Sequence, residues 1–166
     1  MNEVPSGLVR SVISSPDNQQ AIWFLGALSQ VRVSGEQTAG AFSLTDNINR
    51  RGNGSPVHVH DDEDETLIVL EGELRVFADD EEHAAGPGTV AVLPKGRQHA
   101  YVVASATARF LTLHTPAGFE QFAAEVGQPA QALELPPEPA EPPDLEAVAG
   151  AAARHHITIL GPPPQL

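Results

Sequence analysis

The sequence predicts an all-β protein, an antiparallel sandwich or barrel, and three observations carry that expectation. Short apolar runs recur from Ala21 to Leu113, each bounded by turn-forming residues. The connections between them are built from Gly, Pro, Asp and Asn, and little helical periodicity falls between the runs. The chain has 166 residues and no internal repeat, so a single barrel is expected rather than a duplicated one.

Taken in order, residues Met1 to Gln20 are polar and broken by Pro5, Gly7 and Pro16, which predicts an arm or loosely packed strands. The barrel is expected over residues 21–126. Its first strand lies around Ala21 to Val33, interrupted by Gly26, and a second runs from about Gly40 to Thr45. Further strands are expected at Val57 to His60, Thr66 to Leu70, Leu74 to Ala78, Thr89 to Leu93, His99 to Val103 and Ala108 to His114. Turns are expected at Asp46-Asn47, Gly52 to Pro56, Glu71-Gly72, Asp79 to Glu82, Gly86 to Gly88 and Pro94 to Gly96. Phe119, Phe122, Ala123 and Val126 share a helical face. Residues 127–166 form a proline-rich, acidic extension, extended over Pro129 to Pro143. It then carries a short alanine-rich helix at Leu145 to Arg154 and a strand at Ile157 to Leu160.

Composition excludes several kinds of chemistry. There is no cysteine, hence no disulfide, thiolate zinc site or cysteine nucleophile. Nine basic against 22 acidic residues give a net charge of −13, which opposes binding to phosphate backbones and anionic lipid. No apolar run is long enough to span a bilayer, and Met1 to Arg10 lack the layout of a signal peptide, so a cytoplasmic protein is expected.

Two clusters carry the chemistry. The first reads Gly52, then His58-Val59-His60, then Glu65, then Gly72; the second reads Gly88, then Pro94-Lys95-Gly96, then His99. Residues two apart on a strand face the same way, so His58 and His60 point to one side together. Glu65 stands an odd step beyond His60, and a turn or bulge in the acidic stretch Asp61 to Asp64 is needed to restore its parity. That stretch lacks the alternating ligands and glycine of a calcium loop and is expected as a solvated turn. Three imidazoles and a carboxylate suit one divalent transition ion, whether iron, manganese, nickel, cobalt, copper or zinc, and leave coordination positions open.

These clusters match both signature motifs of the cupin superfamily, and the chain resembles that family from Gly52 to Val103 closely and from Ala21 to Val126 by layout. The resemblance implies a jelly-roll barrel (a double-stranded β-helix) followed by short C-terminal helices, with His58, His60, Glu65 and His99 as metal ligands. One departure is visible: the second motif usually ends in Asn, and Val103 stands there. The chain also resembles the single-domain bacterial cupins similar to quercetin dioxygenase. The supporting features are Gly35-Glu36-Gln37-Thr38 before Phe42-Ser43-Leu44, the segment Thr115 to Glu120 and the proline-rich tail. That likeness implies a metal-dependent dioxygenase in which Glu65 is both ligand and catalytic base for a small-molecule substrate, and a homodimer formed through strand edges and terminal segments. The alternatives are a metal-dependent isomerase or cyclase of secondary metabolism, and a small-molecule-binding cupin without turnover.

Around this centre Tyr101 shares the parity of His99 and is expected to face the same cavity, as a substrate contact or as a core aromatic. Leu67 and Val69 share the parity of Glu65, and Phe42 lies on an early strand; all three are candidates for a substrate wall, with ordinary core packing as the alternative. His83, His114, His155 and His156 are not expected as ligands, with His114 the one placed to face a barrel mouth. Lys95 and Arg97 are expected as solvated loop cations.

Overall fold

The computed structural model describes residues 10–139 and 141–166. Residues 1–9 of the expected arm lie outside them, and the described remainder includes a 3-10 turn at Pro16–Asn18. The strands that follow are β1 (Gln20–Phe24), β2 (Ala27–Val33), β3 (Ser43–Arg50), β4 (Val57–His60), β5 (Asp64–Glu71) and β6 (Leu74–Ala78). Next come β7 (Glu81–Ala85), β8 (Val90–Leu93), β9 (His99–Val103), β10 (Thr107–Thr115), helix α1 (Phe119–Val126) and the short β11 (Gln128–Pro129). Helix α2 (Leu145–Arg154) and β12 (Ile157–Gly161) end the chain.

Two antiparallel sheets face one another. One runs β11-β1-β2-β3-β10-β5-β8 and the other β12-β4-β9-β6-β7, so most sequence neighbours lie in opposite sheets or cross over. Leu67, Val69, Leu74, Val76, Val103 and Phe110 from both sheets meet in the main core. Burial alternates along β10, with Ala108, Phe110, Thr112 and His114 inward, as expected for a strand with one face on the core.

Two-residue turns set the register of two hairpins. Leu25 and Gly26 both have positive φ between β1 and β2, and Asp79 and Asp80 both do between β6 and β7, the geometry whose twist matches paired strands. The second hairpin explains why β7 is not apparent from composition. Glu-Glu-His-Ala-Ala has no apolar alternation, and the segment is a strand because its backbone pairs with β6 along five residues.

The structure corrects the turn expected at Asp46-Asn47, because β3 runs straight through it. Both side chains are satisfied within the sheet. Asn47 donates to Thr112 Oγ1 at 3.0 Å and accepts from Ser29 Oγ at 2.8 Å. Asp46, 3 % exposed, accepts from Arg32 Nη2 and Arg109 Nη2, each at 2.7 Å. Burial raises its pKa, but the two guanidiniums outweigh that and hold it below the usual carboxylate range.

The C-terminal extension is built into the same body. Trp23 Nε1 donates to the Glu134 carbonyl at 2.9 Å and Arg50 Nη2 to that of Pro136 at 2.7 Å, which lays the proline-rich stretch against the barrel. Asp144 caps α2 by accepting from the backbone of Glu146 and Ala147. Strand β12 then pairs with β4, Ile157 opposite His60 and Ile159 opposite His58. Phe122, Val148, Ala151, Ala152 and Ile157 form the core that joins the extension to the barrel.

Replacing Asp46 by Asn removes the charge that both arginines meet. We expect a loss of about 1–3 kcal/mol in urea unfolding at neutral pH. The wild-type advantage should fade as pH falls through the depressed pKa of Asp46, since both proteins are then neutral at this position.

Candidate metal centre

His58 and His60 stand on β4, His99 on β9 beside it and Glu65 on β5 in the opposite sheet. The parity problem between His60 and Glu65 is therefore solved by a change of sheet. The chain leaves β4 at His60, turns at Asp61-Asp62 and enters the facing sheet at Asp64. His58 pairs directly with His99 across β4 and β9, which aligns their side chains on one face. All four side chains are buried, and one ligand atom from each lies within 4.8 Å of the others.

The donor spacing suits a common ion. Glu65 Oε2 lies 2.9 Å from His99 Nε2, 3.2 Å from His60 Nε2 and 3.7 Å from His58 Nε2, and the two histidines of β4 have their Nε2 atoms 3.1 Å apart. Nitrogen and oxygen ligands about 2.1 Å from one ion stand roughly 3 to 3.5 Å from their neighbours in tetrahedral or octahedral arrangements.

The opposite side of each ring settles which nitrogen is free. His58 Nδ1 donates to the Pro56 carbonyl at 2.8 Å and His99 Nδ1 to that of Arg97 at 3.1 Å; carbonyls only accept, so Nδ1 carries the hydrogen and Nε2 turns inward. His60 Nδ1 lies 3.0 Å from Glu63 Oε2, a carboxylate–imidazole pair of the kind that orients metal-binding histidines. This corrects the reading of Asp61 to Asp64 as wholly solvated. Glu63 is 6 % exposed, and Gly118 leaves it room, since a Cβ there would collide with its carboxylate. Its position three residues after His60, across a two-residue turn, is the signal that could have singled it out.

Without an ion the cluster shares protons. Burial disfavours a charged His60, but hydrogen bonds and charge from Glu63 and Glu65 outweigh it and raise its pKa to about 9. Burial likewise opposes a charged Glu65, yet the hydrogen bonds of His58, His60 and His99 hold its pKa well below the ordinary carboxylate value.

A cavity opens beside His58 and Glu65. Its apolar lining comes from Phe24, Phe119 and Phe122 with Val148 and Ile159 of the C-terminal extension. The three phenylalanines pack edge to face, with ring centroids 5.5 to 5.9 Å apart. Its polar lining includes Asn47, Asn49, Thr112 and Tyr101. Tyr101 lines this cavity and accepts from Asn49 Nδ2 at 3.3 Å. Leu67 and Val69 lie in the main core with Phe110, and Phe42 is half-buried at the entry to β3, its carbonyl accepting from Thr38; none of the three lines the cavity.

His114 is the residue that sequence reasoning left aside. It is fully buried, with Nε2 3.9 Å from Glu65 Oε2, and its ring stacks on Phe119 at 4.4 Å. Burial lowers its pKa to about 3, so it is neutral. The inward parity it shares with Ala108 and Phe110 was the available signal. His83, His155 and His156 pair with surface carboxylates away from the centre. Lys95 is exposed, and Arg97 pairs with Asp79 in the loop region.

The family model for the cupin domain matches residues 47–114, from β3 to the end of β10. Residues 47–114 are a cupin domain by this match, and the barrel has the cupin fold. The chain is 29 % identical over 133 residues to quercetin 2,3-dioxygenase of Bacillus subtilis strain 168. The match takes in 80 % of this chain and 40 % of that enzyme, so the chain spans well under half the length of this curated relative. Among solved structures, KdgF from a Halomonas species superposes with a TM-score of 0.59 at 17 % identity, over 66 % of this chain and 99 % of that one. The polyketide cyclase RemF of Streptomyces resistomycificus gives a TM-score of 0.54 at 21 % identity, over 64 % and 80 % of the two chains. These structural likenesses establish the fold. No helix among the described residues is long and apolar enough to cross a membrane.

An ion entering the cluster competes with the proton on His60. Loading with cobalt(II) near neutral pH should therefore release protons, and apparent affinity should climb with pH and flatten near 9. Calorimetry in buffers of different ionisation heat reads the release directly; affinity independent of pH between 6 and 9 would contradict the proton-sharing cluster.

Proposed function

We propose that this cupin is a metal-dependent dioxygenase of the quercetin dioxygenase type, acting on a small hydroxylated aromatic molecule. The observation that carries it is the convergence of His58, His60, Glu65 and His99 on one buried point at the edge of an aromatic-walled cavity. Similarity to the Bacillus dioxygenase supports the reaction type. In this reading the four side chains hold one divalent transition ion, which would act as a Lewis acid toward a substrate oxygen and provide the redox centre for dioxygen chemistry.

The chain's own residues supply the rest. Glu65 accepts the substrate hydroxyl proton at its carboxylate. The hydrogen bonds of His58, His60 and His99 hold that carboxylate in its ionised form, the form that can accept a proton. Phe24, Phe119 and Phe122 bind the flat apolar body of the substrate and exclude water. Tyr101, held by Asn49, offers its hydroxyl to a polar substituent. Leu67 and Val69 act through packing, in the core against which Tyr101 lies.

Oxygen uptake by the metal-loaded protein with quercetin and related flavonols tests the reading. Consumption of dioxygen coupled to loss of flavonol is expected, and Glu65→Gln should reduce it at least a hundredfold. Turnover that persists without oxygen would assign the site to an isomerase or cyclase instead. A ligand bound and recovered unchanged would make this a binding cupin.

A homodimer belongs to the same proposal. Strand β8 closes one sheet at its rim and exposes Val90 and Val92, 56 % and 65 % accessible, beside an unpaired backbone edge. Light scattering should return twice the chain mass, and a monomer at micromolar concentration would remove this part of the proposal.

A further inference from the structure

We infer that His114, backed by Ser43, is a positioning residue that holds the Glu65 carboxylate by hydrogen bonding when the centre carries its ion; this rests on the metal site proposed above. The argument begins with hydrogen atoms. In a loaded centre His58, His60 and His99 each direct an Nε2 lone pair inward. Their Nδ1 hydrogens are already committed to the Pro56 carbonyl, Glu63 and the Arg97 carbonyl. None of the three then has an N–H left for Glu65. Among the described residues, the polar side chains paired with Glu65 are these three imidazoles and His114. With one carboxylate oxygen on the ion, the remaining acceptor sites of Glu65, only 5 % exposed, can take a donor, and His114 Nε2, 3.9 Å away, is the imidazole nitrogen left to supply it.

The second observation is independent. Both ring nitrogens of His114 lack a hydrogen-bond partner although the residue is fully buried, and so does the hydroxyl of Ser43. Ser43 lies directly opposite His114 across β3 and β10, and His114 lies directly opposite Glu65 across β10 and β5. Cross-strand partners share a face, so Ser43, His114 and Glu65 form a polar row inside the barrel. The hydroxyl of Ser43 can donate to one ring nitrogen, which leaves the hydrogen on the nitrogen that faces Glu65. His114 lies outside the four-residue donor group and stands instead with His60 and Glu63 in a second buried cluster; in the proposal it acts through Glu65 and not as a fifth ligand. An unpartnered buried imidazole costs folding stability, and a structural role alone would be better met by phenylalanine, which keeps the stack on Phe119.

The test compares His114→Phe, His114→Gln and Ser43→Ala with wild type by cobalt(II) competition against a chromophoric chelator, by the visible spectrum of the cobalt form and by thermal unfolding of the metal-free proteins. We expect the metal-free His114→Phe protein to melt at or above the wild-type temperature while its cobalt affinity falls ten- to a hundredfold. Its cobalt spectrum should shift, and His114→Gln, which keeps an N–H near the same place, should recover most of the affinity. Ser43→Ala leaves the imidazole and its stack in place and should weaken affinity a few-fold, which keeps the inference testable if His114→Phe does not fold. Wild-type affinity in His114→Phe would overturn it, as would equal losses in the Phe and Gln variants. Should wild type itself bind no cobalt, the metal reading fails first, separately from the role of His114.

Discussion

A carboxylate carried into the interior of an apolar barrel has to be met by hydrogen-bond donors or a cation, because water can no longer solvate it. Glu65 is that group here, and much of the architecture is arranged around it. Its own strand belongs to one sheet, two of its imidazole partners come from β4 and a third from β9 in the other, and a fourth imidazole comes from β10 beside it. The two sheets are thus joined at this end by a polar junction as well as by the leucine, valine and phenylalanine core. The polar junction has little conformational slack. Each inward-facing nitrogen is set by a bond on the far side of its ring, to Pro56, Glu63 or Arg97. Such backing fixes the rings before any ligand arrives, which is what a preorganised centre requires.

The C-terminal extension completes the same arrangement from outside the region matched by the cupin model. Strand β12 lies along β4, the strand that carries two of the histidines, and puts Ile157 and Ile159 beside them. Helix α2 adds Val148 and Ala152 to the cavity. The polar centre therefore has an apolar wall drawn in part from a segment that lies outside the ligand motifs in sequence. The proposed binding of a flat, partly apolar molecule rests on the phenylalanine cluster and the polar groups of Asn47, Asn49 and Tyr101 lining one cavity.

Local pattern determined much of this protein. Alternating apolar residues and turn chemistry identify most of the strands and both helices, because side chains two apart must share a face and Gly, Pro and Asp cannot easily continue a strand. The spacing of His58, His60, Glu65 and His99 singles out four side chains that the fold brings together. Tertiary structure decided what local pattern cannot encode. Strand β7 exists through pairing with β6, and Asp46 stays inside β3 through arginines on two neighbouring strands. Glu63 turns inward although it stands in an acidic run, because His60 and the space at Gly118 receive it. His114 approaches Glu65 only through the register of β10 against β5. Each of these depends on groups distant in sequence, and the energy of burying a polar side chain is set by the partner it meets, which only the folded chain supplies.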